Sequence, residues 1–403
     1  MRWPDTWKDP ATLDLLTGTA IDYLMIARSE ELAAVRARAQ QLGIRTGEPD
    51  SAPNGVEIVT GVWPGVQMGR RGGSGADAGP TGVPWVDSNG WAIRLHDALH
   101  PGVAAWVNAP PADKTFIIAD SYLIAIADSA AYGGRWIITL DAPLAQGLAA
   151  RNAASLATWK KLTAAAGFFA AHKDWPEYVP MAVAGVISDF GGDNEFFSHE
   201  LLNLMGRAGL HYRILPKDRV STASFESLRA VSYTDTTPPS ADLRRQILAF
   251  VEAGGLLMAT PKWGEVAGTP VTGAHPAGYT VRALGKGRIA LADTEPADPF
   301  SWADDTAVLV SHRYDMVRFW NGGATRSFYT MAPGRKQALV HLFFFAERGP
   351  DSATVRVAGR YRAARVSTVD HPKVDNVGFE AQGDSVEVHL PPVPQYVALE
   401  LDV

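Results

Sequence analysis

Hydrophobic periodicity changes once along this chain, and that change limits the folds open to it. Up to about residue 320, short apolar runs alternate with stripes spaced by three and four; beyond about 325 the period is two. Strand and helix in alternation imply parallel sheets covered by helices, whereas uninterrupted period two implies antiparallel strands with one face buried. The run 20-AIDYLMIA-27 reads as a buried strand. Ser29 caps a helix after it, Glu30 and Glu31 lie in the first turn, and Leu32, Val35, Ala39 and Leu42 form the stripe that Gly43 ends. A second strand, 56-VEIVTGVW-63, precedes a glycine-rich loop at 69–82. Helices at 90–99 and 119–132 then alternate with strands 103-VAAWVN-108 and 135-RWIITLD-141. A complete eightfold barrel takes about 250 residues, so residues 1–178 are expected to form an incomplete (β/α) barrel-like domain.

The Pro- and aromatic-containing joint 174-DWPEYVP-180 opens a second domain, 179–323. Its strands are 182-AVAGVISDF-190, 211-HYRILP-216, 228-LRAVSYTD-235, 256-LLMAT-260 and 287-GRIALADTE-295, with helices near 198–208, 240–255 and 301–320. That order is α/β and flavodoxin-like. Residues 324–403 carry short alternating runs, among them 337-QALVHLFFF-345 and 353-ATVRVAG-359, and read as an antiparallel β-sandwich.

Composition removes several function classes. The formal net charge is −6 with both signs mixed along the chain, so no basic stripe offers itself to nucleic acid. No apolar run approaches the roughly 18 residues of a membrane span, and 1-MRWPDTWKDP-10 has no signal-peptide core. A soluble protein is expected; its compartment is left open. Cysteine is absent, which excludes disulfides, thiolate metal sites and cysteine nucleophiles together. The segment 72-GGSGADAG-79 matches no nucleotide fingerprint. No cofactor is expected.

The succession of a βα-repeat domain, a flavodoxin-like domain and a terminal sandwich resembles the multidomain β-galactosidases of glycoside hydrolase family 42. The matching pieces are 182-AVAGVISDF-190, the helix–strand unit at 240–260 and 393-VPQYVALEL-401. The resemblance implies a catalytic barrel, a class I amidotransferase-like domain used in trimerisation, and a small β domain. It therefore implies a homo-oligomer. Without cysteine or a Gly-x-Ser-x-Gly elbow, the amidotransferase-like domain is expected to be structural. The family's barrel uses two glutamates at strand ends, the acid following an asparagine. Before residue 180 this chain offers only Glu30, Glu31, Glu48, Glu57 and Glu177. Its Asn194-Glu195 pair falls after the first strand of the second domain, either as an acid/base or as a solvated loop.

Glycoside hydrolysis needs two carboxyl groups about 5 to 10 Å apart, and aspartates can serve. Asp141 ends a strand where barrel chemistry sits, and Asp87 lies in the turn-rich stretch 79-GPTGVPWVDSNGW-91. The plain alternatives are a turn carboxylate before Pro143 and a helix cap. Trp63, Trp85, Asn89, Trp91 and Tyr132 are the candidate sugar contacts, with Trp63 and Trp85 beside Pro64 and Pro84 as pocket wall. Core packing is the competing role for any one of these aromatics. His96 and His100 stand four apart, a zinc-compatible spacing, but lack the intervening glutamate and a third ligand; a helix C-terminus explains them, and no metal site is assigned. The 69–91 segment is expected to wall or cover the mouth of the first domain.

Two functions stay open at this point. One is a glycoside-hydrolase-like enzyme with two carboxyls; the other is a non-catalytic sugar-binding or scaffolding protein with a degenerate barrel. Either takes a carbohydrate ligand, without nucleic acid or membrane.

Overall fold

The computed structural model describes the chain apart from residues 71–75, 83–84, 274, 321–322, 347–351 and 393–394, and the side chains of 67–70 and 76–77. Pro84, the centre of the glycine-rich stretch and Val393-Pro394 therefore lie outside the described residues. In the first region the strands are β1 (Tyr23–Met25), β2 (Arg45–Gly47), β3 (Val56–Thr60), β4 (Val66–Arg70), β5 (Ala76–Pro80), β6 (Ala104–Asn108), β7 (Thr115–Ile117) and β8 (Arg135–Trp136). The helices are α1 (Ala33–Gln41), α2 (Gly90–Leu99), α3 (Ala119–Ala131), α4 (Ala142–Ala149) and α5 (Ala153–Ala171). β1 pairs with β2, and β6 lies between β3 and β8, all in parallel. Residues 1–3 join the two pieces: Met25 N–H donates to Met1 O at 2.9 Å, Trp3 N–H to Met25 O at 2.8 Å, and Arg2 N–H to Ile138 O at 2.9 Å. The result is an open parallel layer.

Sequence periodicity places α1 with Val35 and Ala39 buried as expected, but Leu42, the last position of the expected stripe, is the exposed C-cap. Ser29 makes no side-chain cap, and a short 3-10 turn at Glu30–Leu32 starts the helix instead. The expected loop at 69–82 is a correction. Its flanks form the antiparallel hairpin β4–β5, and β5 also pairs with β7. The expected strand 135–141 is corrected too: pairing in β8 stops at Trp136, Ile137 still donates to Val107 O, and Asp141 already caps α4.

In the second region, β9 (Val179–Pro180), β10 (Ala184–Ser188), β11 (Tyr212–Pro216), β12 (Ala230–Tyr233), β13 (Leu256–Ala259), β14 (Thr269–Pro270), β15 (Tyr279–Leu284) and β16 (Gly287–Ala292) are interleaved with α6 (Glu195–Arg207), α7 (Ala241–Glu252) and α8 (Pro299–Val310). The seven-stranded sheet runs β11-β10-β12-β13-β16-β15-β14, parallel as far as β16 and antiparallel beyond it. Its apolar positions divide by pleat. Val186, Met258 and Ala290 pack with residues of α6 and α8, while Ile187, Tyr233 and Leu257 pack with α7. Ser240 accepts a hydrogen bond from Leu243 N at 3.2 Å, the cap its position predicts. The closing helix is shorter than expected, because Ser311 turns to φ +80° directly after α8.

The remaining strands are β17 (Val317–Phe319), β18 (Thr325–Met331), β19 (Gln337–Phe344), β20 (Ala353–Ala358), β21 (Ala363–Ser367), β22 (Asp375–Asn376), β23 (Phe379–Gln382), β24 (Ser385–Leu390) and β25 (Tyr396–Asp402). They form antiparallel sheets ordered β17-β20-β24-β23 and β22-β21-β25-β19-β18-β9. Residues of both sheets share one core, including Val355, Val388, Leu342 and Leu399. β9 is the joint itself: Val179 and Pro180 pair with Met331 and Thr330, so the linker adds an edge to this sheet. The chain is thus mixed α/β with a sandwich-like antiparallel part.

Candidate functional site

In open parallel sheets and barrels, ligand chemistry gathers at the carboxyl ends of strands. Thr60 faces Asn108 at the ends of β3 and β6, and Glu48 follows directly on β2. Arg2 connects these ends. Its guanidinium donates to Asp50 Oδ1 at 3.1 and 3.2 Å and to Asn108 Oδ1 at 3.5 Å. Its Nε is buried without a partner among the described residues. Glu48 Oε1 lies 2.7 Å from Arg28 Nε and 3.9 Å from Arg36 Nη2, while Arg36 also holds Ile26 O at 2.8 Å. Asp50 is almost wholly exposed, so its pairing adds little stability, at most about 1 kcal/mol. What it provides is orientation. Tyr23, Met25, Trp106 and Ile137 form a buried cluster of their own, the two rings meeting edge to face at 5.1 Å, and Tyr23, Trp106 and Ile137 line a cavity at the other end of the layer.

The carboxylates singled out in the sequence stand elsewhere. Asp141 is 2 % exposed and caps α4. Its Oδ1 accepts from Leu144 N at 3.0 Å; its Oδ2 accepts from Tyr122 Oη at 3.1 Å and Ile117 N at 3.4 Å. Burial raises its pKa, and these hydrogen bonds oppose the rise. Asp87 does not cap α2. Its Oδ1 receives Asn203 Nδ2 at 2.9 Å and the Arg207 guanidinium, both from α6. Asp87 and Asp141 share no partner among the described residues.

The predicted sugar contacts divide as well. Trp63 packs edge to face on Tyr122 and Trp136, at 5.1 and 4.9 Å, which ties it to the Asp141 cap. Asn89 is buried, exchanging hydrogen bonds with Val62 N and O. Trp91 lies against His199 at 5.2 Å, and Tyr132 against Phe328 at 4.4 Å. Trp85 is 60 % exposed. His96 Nε2 lies 3.0 Å from Glu57 Oε2, and its ring stacks on His100. Asn194 is buried against Ser188 Oγ at 2.5 Å and Glu195 opens α6, so the pair is not a solvated loop, though the Glu195 side chain is exposed.

Sequence reasoning missed Asp128. It sits inside the apolar helix α3, 1 % exposed, and its Oδ2 accepts Asn89 N at 2.8 Å and Asn89 Nδ2 at 3.0 Å. A lone acid in 123-LIAIADSAA-131 was the available signal. Burial lifts its pKa to about 6, against the pull of Asn89 and Arg326. The folded state therefore binds this proton more tightly than the unfolded chain. The resulting stability is full below the unfolded value near 3.8 and is lost as pH rises through about 6. Its size is on the order of 3 kcal/mol. Relative to Asp128→Asn, the parent should gain stability between pH 7 and pH 4 in denaturant titrations; a pH-independent difference between the two would refute this.

A cavity of about 370 Å³ opens at the other end of the layer, where Asp22, Gly133 and Gly134 lead into β1 and β8. Its one carboxylate among the described lining residues, Asp22, is already paired with Arg45 at 2.8 Å and Arg135 at 3.3 Å. Volume favours that end, and chemistry favours the carboxyl end. The carboxyl end is the candidate site, where Arg2, Glu48, Asp50 and Asn108 gather donors and acceptors at strand ends.

No family profile matches the sequence, and no curated protein does. Solved structures do resemble it. α-L-Fucosidase isoenzyme 2 from Paenibacillus thiaminolyticus aligns over 74% of this chain and 60% of its own, with a TM-score of 0.51 at 10% identity. A catalytic mutant of a GH42 β-galactosidase from G. stearothermophilus aligns over 78% of this chain and 56% of its own, with a TM-score of 0.48 at 12% identity. For a β-galactosidase from Rahnella sp. R3 the corresponding values are 78%, 57%, 0.47 and 11%. The resemblance is thus to glycoside hydrolases, and at these identities it is one of fold. This chain spans about 60% of the fucosidase's length.

Proposed function

We propose that this chain recognises carbohydrate in a glycoside-hydrolase-like frame, made of a shrunken (β/α) barrel-like region, an amidotransferase-like region and a terminal sandwich. Self-association through the middle region belongs to the same proposal. The observation that carries it is the Arg2–Asp50–Asn108 group, a guanidinium held between a carboxylate and an amide across the ends of parallel strands. Planar donors and acceptors at these strand ends match vicinal hydroxyls. The likeness to an α-L-fucosidase supports the frame alone.

Binding is favoured over cleavage through Asp141 and Asp87. A general acid must reach the leaving oxygen, and Asp141 is buried with both oxygens engaged. Hydrolysis by this edge would have to use Glu48 and Asp50, two carboxylates following the same strand. The test is calorimetric titration with fucosylated oligosaccharides, soluble galactan and a sulfated galactan, alongside turnover of aryl glycosides. Binding that Arg2→Ala weakens roughly tenfold is expected, the value of a charged hydrogen bond. No binding by the parent, or equal binding by Arg2→Ala, refutes the proposal. Turnover abolished by Glu48→Gln and Asp50→Asn would make it an enzyme.

A further inference from the structure

The seam between the first two regions carries an exposed aromatic pair that the carboxyl-edge site does not use. Trp85, 60 % exposed, lies with its ring centroid 5.4 Å from that of Phe300, 47 % exposed at the start of α8, the planes inclined by 38°. An exposed tryptophan is costly to leave in water and costly to hold still, yet this one is held. The Arg207 guanidinium carbon stands 4.5 Å above its ring. Arg207 in turn donates through Nε to Val86 O at 2.8 Å and pairs with Asp87. Asn203 fixes the same Asp87 oxygen, and Arg326 fixes Asn203 Oδ1 at 3.0 Å. The ring is thus positioned in advance by three parts of the chain, which reduces the ordering cost of binding.

The chemistry around it is selective. Asp87 Oδ1 takes both protein donors, while Oδ2 has no partner among the described residues and the residue is half-exposed. The Trp85 indole N–H likewise has no acceptor among the described residues. Arg207 and Asp87 neutralise one another, so the patch offers no net charge to a phosphate or sulfate. Exposed aromatic surface on Trp85 and Phe300, with a carboxylate oxygen and an indole N–H that no described residue engages, suits a ligand with an apolar C–H face and hydroxyl edges. We infer that Trp85 and Phe300 form an accessory platform for a neutral sugar: a pyranose stacks on the rings while Asp87 Oδ2 accepts a hydroxyl.

This inference rests on the carbohydrate reading above but concerns a different site. The experiment is affinity electrophoresis of the full chain through soluble galactan and through sulfated galactan, with saturation-transfer NMR on fucosylated oligosaccharides. Trp85→Ala and Phe300→Ala should each weaken binding of neutral glycan roughly tenfold, about one stacked ring's contribution. Trp85→Phe, which keeps a ring, should retain most of it and controls for folding. Added sulfate should bring no gain. Unchanged glycan binding in Trp85→Ala, with binding lost in Arg2→Ala, overturns the platform and leaves the carboxyl-edge site standing. If Trp85→Ala instead converts an oligomer to a monomer in sedimentation without touching glycan binding, the pair is a protein contact and the inference fails. Absence of all glycan binding by the parent overturns both.

Discussion

Arg326→Met should destabilise the chain by about 1–3 kcal/mol, the cost of removing a charged donor from buried acceptors. Arg326 rises from β18 of the sandwich, 5 % exposed, and reaches into the other two regions. Its Nη2 donates to Val86 O at 2.6 Å, Asn203 O at 3.3 Å and Asn203 Oδ1 at 3.0 Å. Asp128 on α3 is drawn to it electrostatically, and burial lowers the arginine's own pKa. The approach is close: a Cβ at Gly206 on α6 would stand 2.6 Å from Arg326 Nη1, so a larger residue there would displace the guanidinium. Methionine fills the space but leaves Asn203 Oδ1 and Asp128 without the guanidinium, while Val86 O keeps Arg207 Nε. The loss should be read in urea titrations and as faster amide exchange in α3 and α6. Arg326→Met combined with Asp128→Asn should recover part of it, because the second change removes the unpaired charge. A single variant as stable as the parent, or a double variant no better than the single, would show that this junction does not hold the regions together.

That junction also shows which parts of the molecule can be read from sequence. Local order was legible wherever one element's own periodicity decides it. Val35 and Ala39 mark the buried stripe of α1, Ser240 caps α7, and Ala353–Ala358 alternates as a sandwich strand should. The hairpin β4–β5 was not, because glycine-rich residues carry no apolar period while their backbone still pairs. Nor was the junction. Arg326, Asn203, Asp128 and Val86 are far apart in sequence and meet only after three regions have docked. The candidate sugar residues separated for the same reason. Trp63 and Asp141 belong to a packed interior, Trp85 and Asp87 to a seam, and the Arg2–Asp50–Asn108 group brings together side chains that no short motif joins.

Asp141 was misplaced by a local signal with two meanings. In 140-LDAPL-144 a proline two residues after an aspartate can close a strand or open a helix, and here it lies in the first turn of α4. The carboxylate then serves the helix. Asp141→Ala should cost about 2–4 kcal/mol: roughly 1 for the cap, and roughly 1–3 for leaving the Ile117 amide without its acceptor and the buried Tyr122 hydroxyl with only Thr139 O at 3.4 Å. Tyr122 is buried as well, and its hydroxyl accepts Asp141 N at 2.8 Å, so that ring cannot turn towards water without breaking a second bond. Trp63, packed on the same ring, should loosen with it. Asp141→Asn should be milder, because the amide oxygen can still accept from Leu144 N. Glycan affinity of the folded protein should be the same in all three forms. Thermal melts and intrinsic tryptophan emission measure the first effect, and titration well below the melting temperature measures the second. A protein that melts unchanged but loses carbohydrate turnover or binding would return Asp141 to the chemistry and remove it from the scaffold.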